Sequence, residues 1–132
     1  MHLKIITHEN TVFDEDVNEI YLKGIDGEFG VLEDHEPIMA SLGIGITKIV
    51  KDNDVKLFTT MGGIFQLKDG QAIILANAGE FGEDIDVARA EQAKARAQAR
   101  LAEVTAQIDA KRAEAALARA MARLKAAMKN KS

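Results

Sequence analysis

Gly82-Glu83-Asp84-Ile85-Asp86-Val87-Ala88-Arg89 is the stretch on which the chain turns. All ten glycines and the one proline precede residue 83, and every arginine lies beyond residue 88. Glycine and proline punctuate turn-rich β structure, whereas the residues beyond the stretch are alanine-rich and strongly helix-forming. The charge divides at the same place. Residues 1–84 carry 6 lysines against 16 acids, net −10, while residues 85–132 carry 11 lysines and arginines against 5 acids, net +6. An α+β chain is therefore expected, with a β module over 1–84 and a helical module over 85–132 joined by a short hinge.

At 132 residues the chain is one domain or two small ones. A β unit of this size buries a modest core of its own, but two alanine-rich helices hardly do so and need the β unit, a ligand or a partner. The absence of cysteine removes disulfides, thiol chemistry and thiolate metal sites. No apolar run approaches the roughly 18 residues that span a bilayer, and the first residues lack a signal-peptide pattern. The expected molecule is soluble, or peripheral to something larger.

Within the first module short apolar runs recur: Leu3 to Thr7, Val17 to Leu22, Ile38 to Leu42, Ile44 to Val50, Val55 to Thr60, Ile64 to Leu67 and Ala72 to Ala78. Asp52-Asn53-Asp54 and Lys68-Asp69-Gly70 supply tight-turn chemistry between them. Strands of about five residues at this spacing predict an antiparallel sandwich or flattened barrel. Gly24-Ile25-Asp26-Gly27-Glu28-Phe29-Gly30 is glycine-spaced, but it lacks the lysine and adjoining helix of a phosphate loop and carries two acids. It reads as a protruding β-turn. His2 and His8 stand roughly 20 Å apart if they share one strand, which is too far for a common metal. His35, before Glu36 and Pro37, reads as a hydrogen-bonding or interface residue. No nucleophile–base pair is visible around Ser41 or Ser132, so the chain offers no catalytic site of its own.

In the second module Asp84 or Asp86 can cap a helix, and Asp109 can cap another. At 100° per residue Val87, Ala90, Ala93, Ala97, Leu101 and Val104 form one stripe, and Ala110, Ala113, Leu117, Met121, Leu124 and Met128 a second. The pattern weakens from Val104 to Asp109 without a glycine or proline, so a folded hairpin and an extended form of about 64 Å are both allowed. Arg89, Arg96 and Arg100 repeat the spacing of Arg112, Arg119 and Arg123. In an antiparallel hairpin Arg89 falls near Arg123 and Arg96 near Arg119, with Asp86 one turn from Arg89. Two readings stand: a solvated basic face, or an anion site in which converging guanidinium groups share a polyanion. Nucleic acid fits poorly, since the helices carry no aromatic residue for stacking and the sandwich is acidic.

The runs Gly27-Glu28-Phe29-Gly30-Val31-Leu32, His35-Glu36-Pro37 and Gly62-Gly63-Ile64-Phe65 carry a resemblance. So do Glu83-Asp84-Ile85-Asp86-Val87-Ala88-Arg89-Ala90, Lys111-Arg112-Ala113-Glu114 and Arg119-Ala120-Met121-Ala122-Arg123. In their order and spacing the chain resembles, over nearly its whole length, the epsilon subunit of bacterial proton-translocating rotary ATP synthases. The resemblance implies an N-terminal β-sandwich docked on the gamma subunit and the membrane-embedded c-ring, peripheral to the cytoplasmic side of the plasma membrane. It implies a C-terminal two-helix hairpin that folds on the sandwich or rises along gamma toward the alpha and beta catalytic subunits and inhibits ATP hydrolysis. Glu28 would face the c-ring and His35 would lie near gamma. Some members bind ATP in the folded hairpin without hydrolysing it. That implies a regulatory ATP, alone or with Mg²⁺, held by Glu80, Asp86, Arg89, Arg96, Arg119 and Arg123. The chain departs from the pattern at Thr7-His8-Glu9-Asn10-Thr11, where relatives often have a proline turn, and at Phe29 and Ile38, where leucine is usual. The alternatives are a sandwich-and-hairpin adaptor for an unrelated partner and, disfavoured by the missing base and phosphate loop, a free-standing nucleotide hydrolase.

Overall fold

The computed structural model describes residues 1–103 and 107–129. Val104, the last member of the first apolar stripe, and Ser132 lie outside the described residues. Among the described residues, eight strands precede two helices. They are β1 (His2–Thr7), β2 (Asn10–Asp16), β3 (Glu19–Gly24), β4 (Gly27–Leu32), β5 (Ile38–Lys51), β6 (Asp54–Lys68), β7 (Gln71–Ala76) and β8 (Gly79–Phe81). A 3₁₀ turn over Gly82–Asp84 leads into α1 (Val87–Glu103) and α2 (Gln107–Lys129). The strands run in the order β2-β1-β7-β6-β5-β3-β4, with β8 paired to β6. Every ladder is antiparallel except β1 on β7, which is parallel.

Two pairs of sequence runs are single long strands. Ile38–Lys51 and Asp54–Lys68 form a long hairpin joined by Asp52 and Asn53. Gly62 and Gly63, both at positive φ, mark the point in β6 where pairing passes from β8 to β7. Three strands escape the pattern of apolar runs. β2 is acidic at Asp14-Glu15-Asp16, β8 has only three residues, and β4 begins inside the glycine-spaced segment. The protruding turn there is confined to Ile25 and Asp26, because Gly24 pairs with Gly27 and Glu28 to Gly30 continue as strand. The Thr7–Asn10 connection turns on His8 and Glu9, both at positive φ, a geometry that proline's fixed negative φ forbids. His8 therefore sits in a turn and not on the β1 face.

The core of the sandwich is built on Leu3, Ile5, Ile20, Phe58, Phe65 and Ile74, all fully buried. Leu57 through Met61 are buried without alternation, so this part of β6 is covered on both faces. The covering element is α2, which lies against β5, β6 and the 3₁₀ turn. Its buried side chains are Ala113, Ala120, Leu124, Ala126 and Ala127, whereas Met121 and Met128 are exposed. The expected second stripe holds at Ala113 and Leu124 but not at Met121 and Met128, and Ala120, Ala126 and Ala127 are buried in their stead. The first stripe holds, with Ala90 and Ala97 buried on α1. Asp86 caps α1, but Asp109 lies inside the first turn of α2, where its charge still favours the helix N-terminus without capping it.

Candidate functional site: an arginine-lined cleft at the hinge

Asp86 ends the connector and accepts the backbone N–H of Arg89 on Oδ1 at 3.1 Å, while its carbonyl accepts the N–H of Ala90 at 3.0 Å. That cap fixes where α1 starts and so which way Arg89 points. Arg96, seven residues on, repeats the same face two turns later. α2 returns antiparallel and brings Arg123 to the same opening. The result is a cleft of about 470 Å³ lined by Glu80, Asp84, Ile85, Asp86, Arg89, Ala90, Ala93, Arg96 and Arg123.

One ion pair crosses it. Arg123 donates from Nε to Oε1 of Glu80 at 3.0 Å, with both side chains partly shielded. Among the described residues Arg89 and Arg96 have no carboxylate within ion-pair distance. Ala90 and Ala93 contribute a flat apolar wall between them. The cleft combines two unpaired guanidinium groups, one paired one, carboxylates at its rim and a small-residue floor. That donor set fits a polyanion attached to a flat or partly apolar body. Its volume falls in the range of ordinary small-molecule pockets.

Five of the six residues implied by the resemblance line this cleft: Glu80, Asp86, Arg89, Arg96 and Arg123. Arg119 does not. It is half-buried on α2, one turn before Arg123, outside the lining. Asp84 and Ile85 line the cleft although the sequence marks Asp84 only as a possible cap; their position comes from the 3₁₀ turn, which no spacing rule anticipates. Thr59 stands behind the site with no sequence signal at all. Its hydroxyl donates to the Glu80 carbonyl at 3.0 Å and accepts the Glu80 N–H at 3.1 Å.

The two partner residues lie elsewhere. Glu28 is exposed on β4 beside the Ile25-Asp26 turn. His35 is exposed in the connection to β5, where its Nδ1 donates to the Glu36 carbonyl at 2.6 Å and its backbone N–H to the Leu32 carbonyl at 3.2 Å. His2 is held between carboxylates, donating to Asp14 through Nε2 and to Asp16 through Nδ1, the latter at 2.7 Å. The Asp14 and Asp16 hydrogen bonds raise its pKa above the ordinary 6.5, since only the doubly protonated ring donates to both. No group of three metal-ligating side chains occurs among the described residues, and no helix among them is long and apolar enough to cross a membrane.

Known proteins share both halves. The model of the ATP synthase delta/epsilon chain β-sandwich domain matches residues 1–82, and that of the delta/epsilon chain long α-helix domain matches residues 83–128. The ATP synthase epsilon chain of Pelotomaculum thermopropionicum is 47% identical over 103 residues, covering 78% of this chain and 77% of that one. The epsilon chain of Desulforudis audaxviator is 42% identical over 100 residues, covering 76% and 73%. In structure, a chain of the Euglena gracilis mitochondrial ATP synthase (OSCP/F1/c-ring) superposes with a TM-score of 0.82 at 23% identity, over 96% of this chain and 79% of that one. That likeness shows a shared fold. With two domain models that together span residues 1–128 and relatives above 40% identity, the chain belongs to the ATP synthase delta/epsilon chain family.

Proposed function

We propose that this chain is the ATP-sensing regulator of a proton-translocating ATP synthase, holding ATP in the cleft between β8 and the two helices. As a member of its family it is an epsilon-type accessory subunit of the synthase and not itself catalytic. The sandwich docks on the gamma subunit and the c-ring, Glu28 toward the ring and His35 toward gamma, on the cytoplasmic side of a bacterial plasma membrane. The helical hairpin is the movable part: folded on the sandwich it leaves hydrolysis free, and extended toward the alpha and beta subunits it inhibits.

The observation that carries this reading is the convergence of Arg89, Arg96 and Arg123 on one cleft at the domain joint. In this account the arginines take the phosphates, and Glu80 and Asp86 orient them and the base. Arg119, one turn from Arg123, joins the ligand when the hairpin closes on it. ATP, with or without Mg²⁺, supplies only negative charge and a base to fill the cleft; nothing is hydrolysed there.

Energetics make such a ligand decisive. The α2 seam rests largely on alanine methyls, each contributing about 0.8 kcal/mol before entropy is subtracted. A ligand that binds only the folded hairpin, at 100 times its Kd, favours that form by about 2.7 kcal/mol. The cellular ATP level can therefore set the position of the arm. Calorimetric titration of the purified chain tests the reading: saturable heat with ATP supports it, and no heat up to millimolar ATP leaves a solvated basic face in its place.

A further inference from the structure

The strand that carries Glu80 is only three residues long, yet each residue is pinned. At Gly79 a Cβ would run into the Thr59 carbonyl and the Phe58 ring, so the two strands approach at a distance only glycine permits. At Glu80 the Thr59 hydroxyl brackets the backbone on both its N–H and its carbonyl. At Phe81 the ring packs against Phe58 at 5.1 Å and Phe13 at 5.9 Å, with the Lys56 ammonium 5.8 Å from its centroid. Thr59 itself is fully buried and faces Glu80 directly across the β6–β8 ladder.

We infer that Thr59 is a positioning residue for an internal latch. It holds Glu80 so that its carboxylate takes Arg123 and keeps α2 on the sandwich while the cleft holds no ligand. The geometry assigns the rigid side of the latch to the sandwich and the releasable side to the helix. A hydroxyl that serves both backbone polar groups of one residue removes that residue's freedom to shift along the ladder. Arg123, by contrast, rides on a helix seated mainly through alanines. Because Arg123 also lines the cleft, the latch and a bound anion draw on the same guanidinium. The hairpin is thus docked before any ligand arrives, and the carboxylate keeps Arg123 at the opening where a phosphate would find it. The inference rests on the movable hairpin proposed above, but not on the identity of its ligand.

Hydrogen exchange of the full chain without nucleotide tests it, read separately on peptides from α2 and from β6–β7. Glu80→Gln and Thr59→Val are each expected to raise exchange in α2 about two- to fivefold, the scale of a partly exposed ion pair. Exchange in β6–β7 stays unchanged, and Thr59→Ser, which keeps the hydroxyl, restores wild-type protection of α2. Added salt raises α2 exchange in the wild type but not in Glu80→Gln. Unchanged α2 exchange in Glu80→Gln overturns the latch. So does a Thr59→Val effect spread equally over β6–β7, or one that Thr59→Ser fails to rescue, since either is an ordinary core defect. No nucleotide is present, so these outcomes are independent of whether ATP gives heat in the titration.

Discussion

The guanidinium of Arg123, in the last helix, donates to the carboxylate of Glu80, in the last strand, across a sequence separation of 43 residues. It is the ion pair, among the described residues, that ties helix to sandwich. Everything proposed for the hinge passes through it: the cleft opens beside it, and Thr59 stands behind its acidic partner.

Arg89 and Arg96 line the cleft without an ion-pair partner among the described residues, whereas Arg100 lies one turn beyond Arg96 and outside the lining. Arg89→Ala or Arg96→Ala is expected to weaken ATP binding at least about tenfold, the scale of losing a charge-assisted contact to phosphate. Arg100→Ala leaves it within about twofold, because its exposed charge acts on the cleft only through solvent. Calorimetric Kd values for the three variants check this ordering.

His2 predicts a pH dependence with a definite sign. Its pKa is raised in the folded chain, first by the Asp14 hydrogen bond and then by that of Asp16. Its stabilising contribution is therefore fully present below its ordinary 6.5 and is lost as the pH rises through the raised folded value. Asp16, lowered by the His2 hydrogen bond, contributes in the opposite sense: present above 3.8, lost as the pH falls through its lowered value. Thermal melting of the wild type and His2→Gln from about pH 5 to about pH 9 should show the two curves converging toward the alkaline end.

Two glycines at positive φ should respond differently to alanine. At Gly63 an added Cβ overlaps the Leu75 carbonyl of the neighbouring strand, while at Gly70 it meets open space. Gly70→Ala carries only the cost of the left-handed conformation, about 1–2 kcal/mol. Gly63→Ala adds a backbone collision that the β6–β7 ladder cannot relieve, about 1–3 kcal/mol more. Urea unfolding midpoints of the two variants measure the difference.

The sandwich and the hairpin are legible in the sequence, and five of the six residues named from the resemblance line one cleft. The modules rest on composition and helical period, which are local; the site residues rest on the family resemblance. The features that escape a linear reading depend on tertiary pairing. β2 is obscured because its solvent side is acidic, with Asp14 and Asp16 outward and only Phe13 buried. β8 is obscured because three residues show no period. Size makes Met121 and Met128 read as core, but both are exposed on α2, which buries Ala113, Ala120, Leu124, Ala126 and Ala127 instead. Ideal hairpin symmetry pairs Arg119 with Arg96, yet the cleft lining includes Arg96 without it. Thr59 gives no sign in the sequence, since its role exists only once β6 faces β8.

On the proposed reading, ATP in the cleft holds the arm on the sandwich. The chain has no cysteine, so Asn53→Cys and Met121→Cys place one fluorophore on each module at exposed positions. In the complex with the gamma subunit, the proposed alternative surface for the arm, energy transfer between the two labels reports docking directly. High transfer is expected at millimolar ATP, a fall when ATP is removed, and low transfer at both conditions when Arg123→Ala is added. Transfer that is the same with and without ATP in the unsubstituted background would contradict the reading.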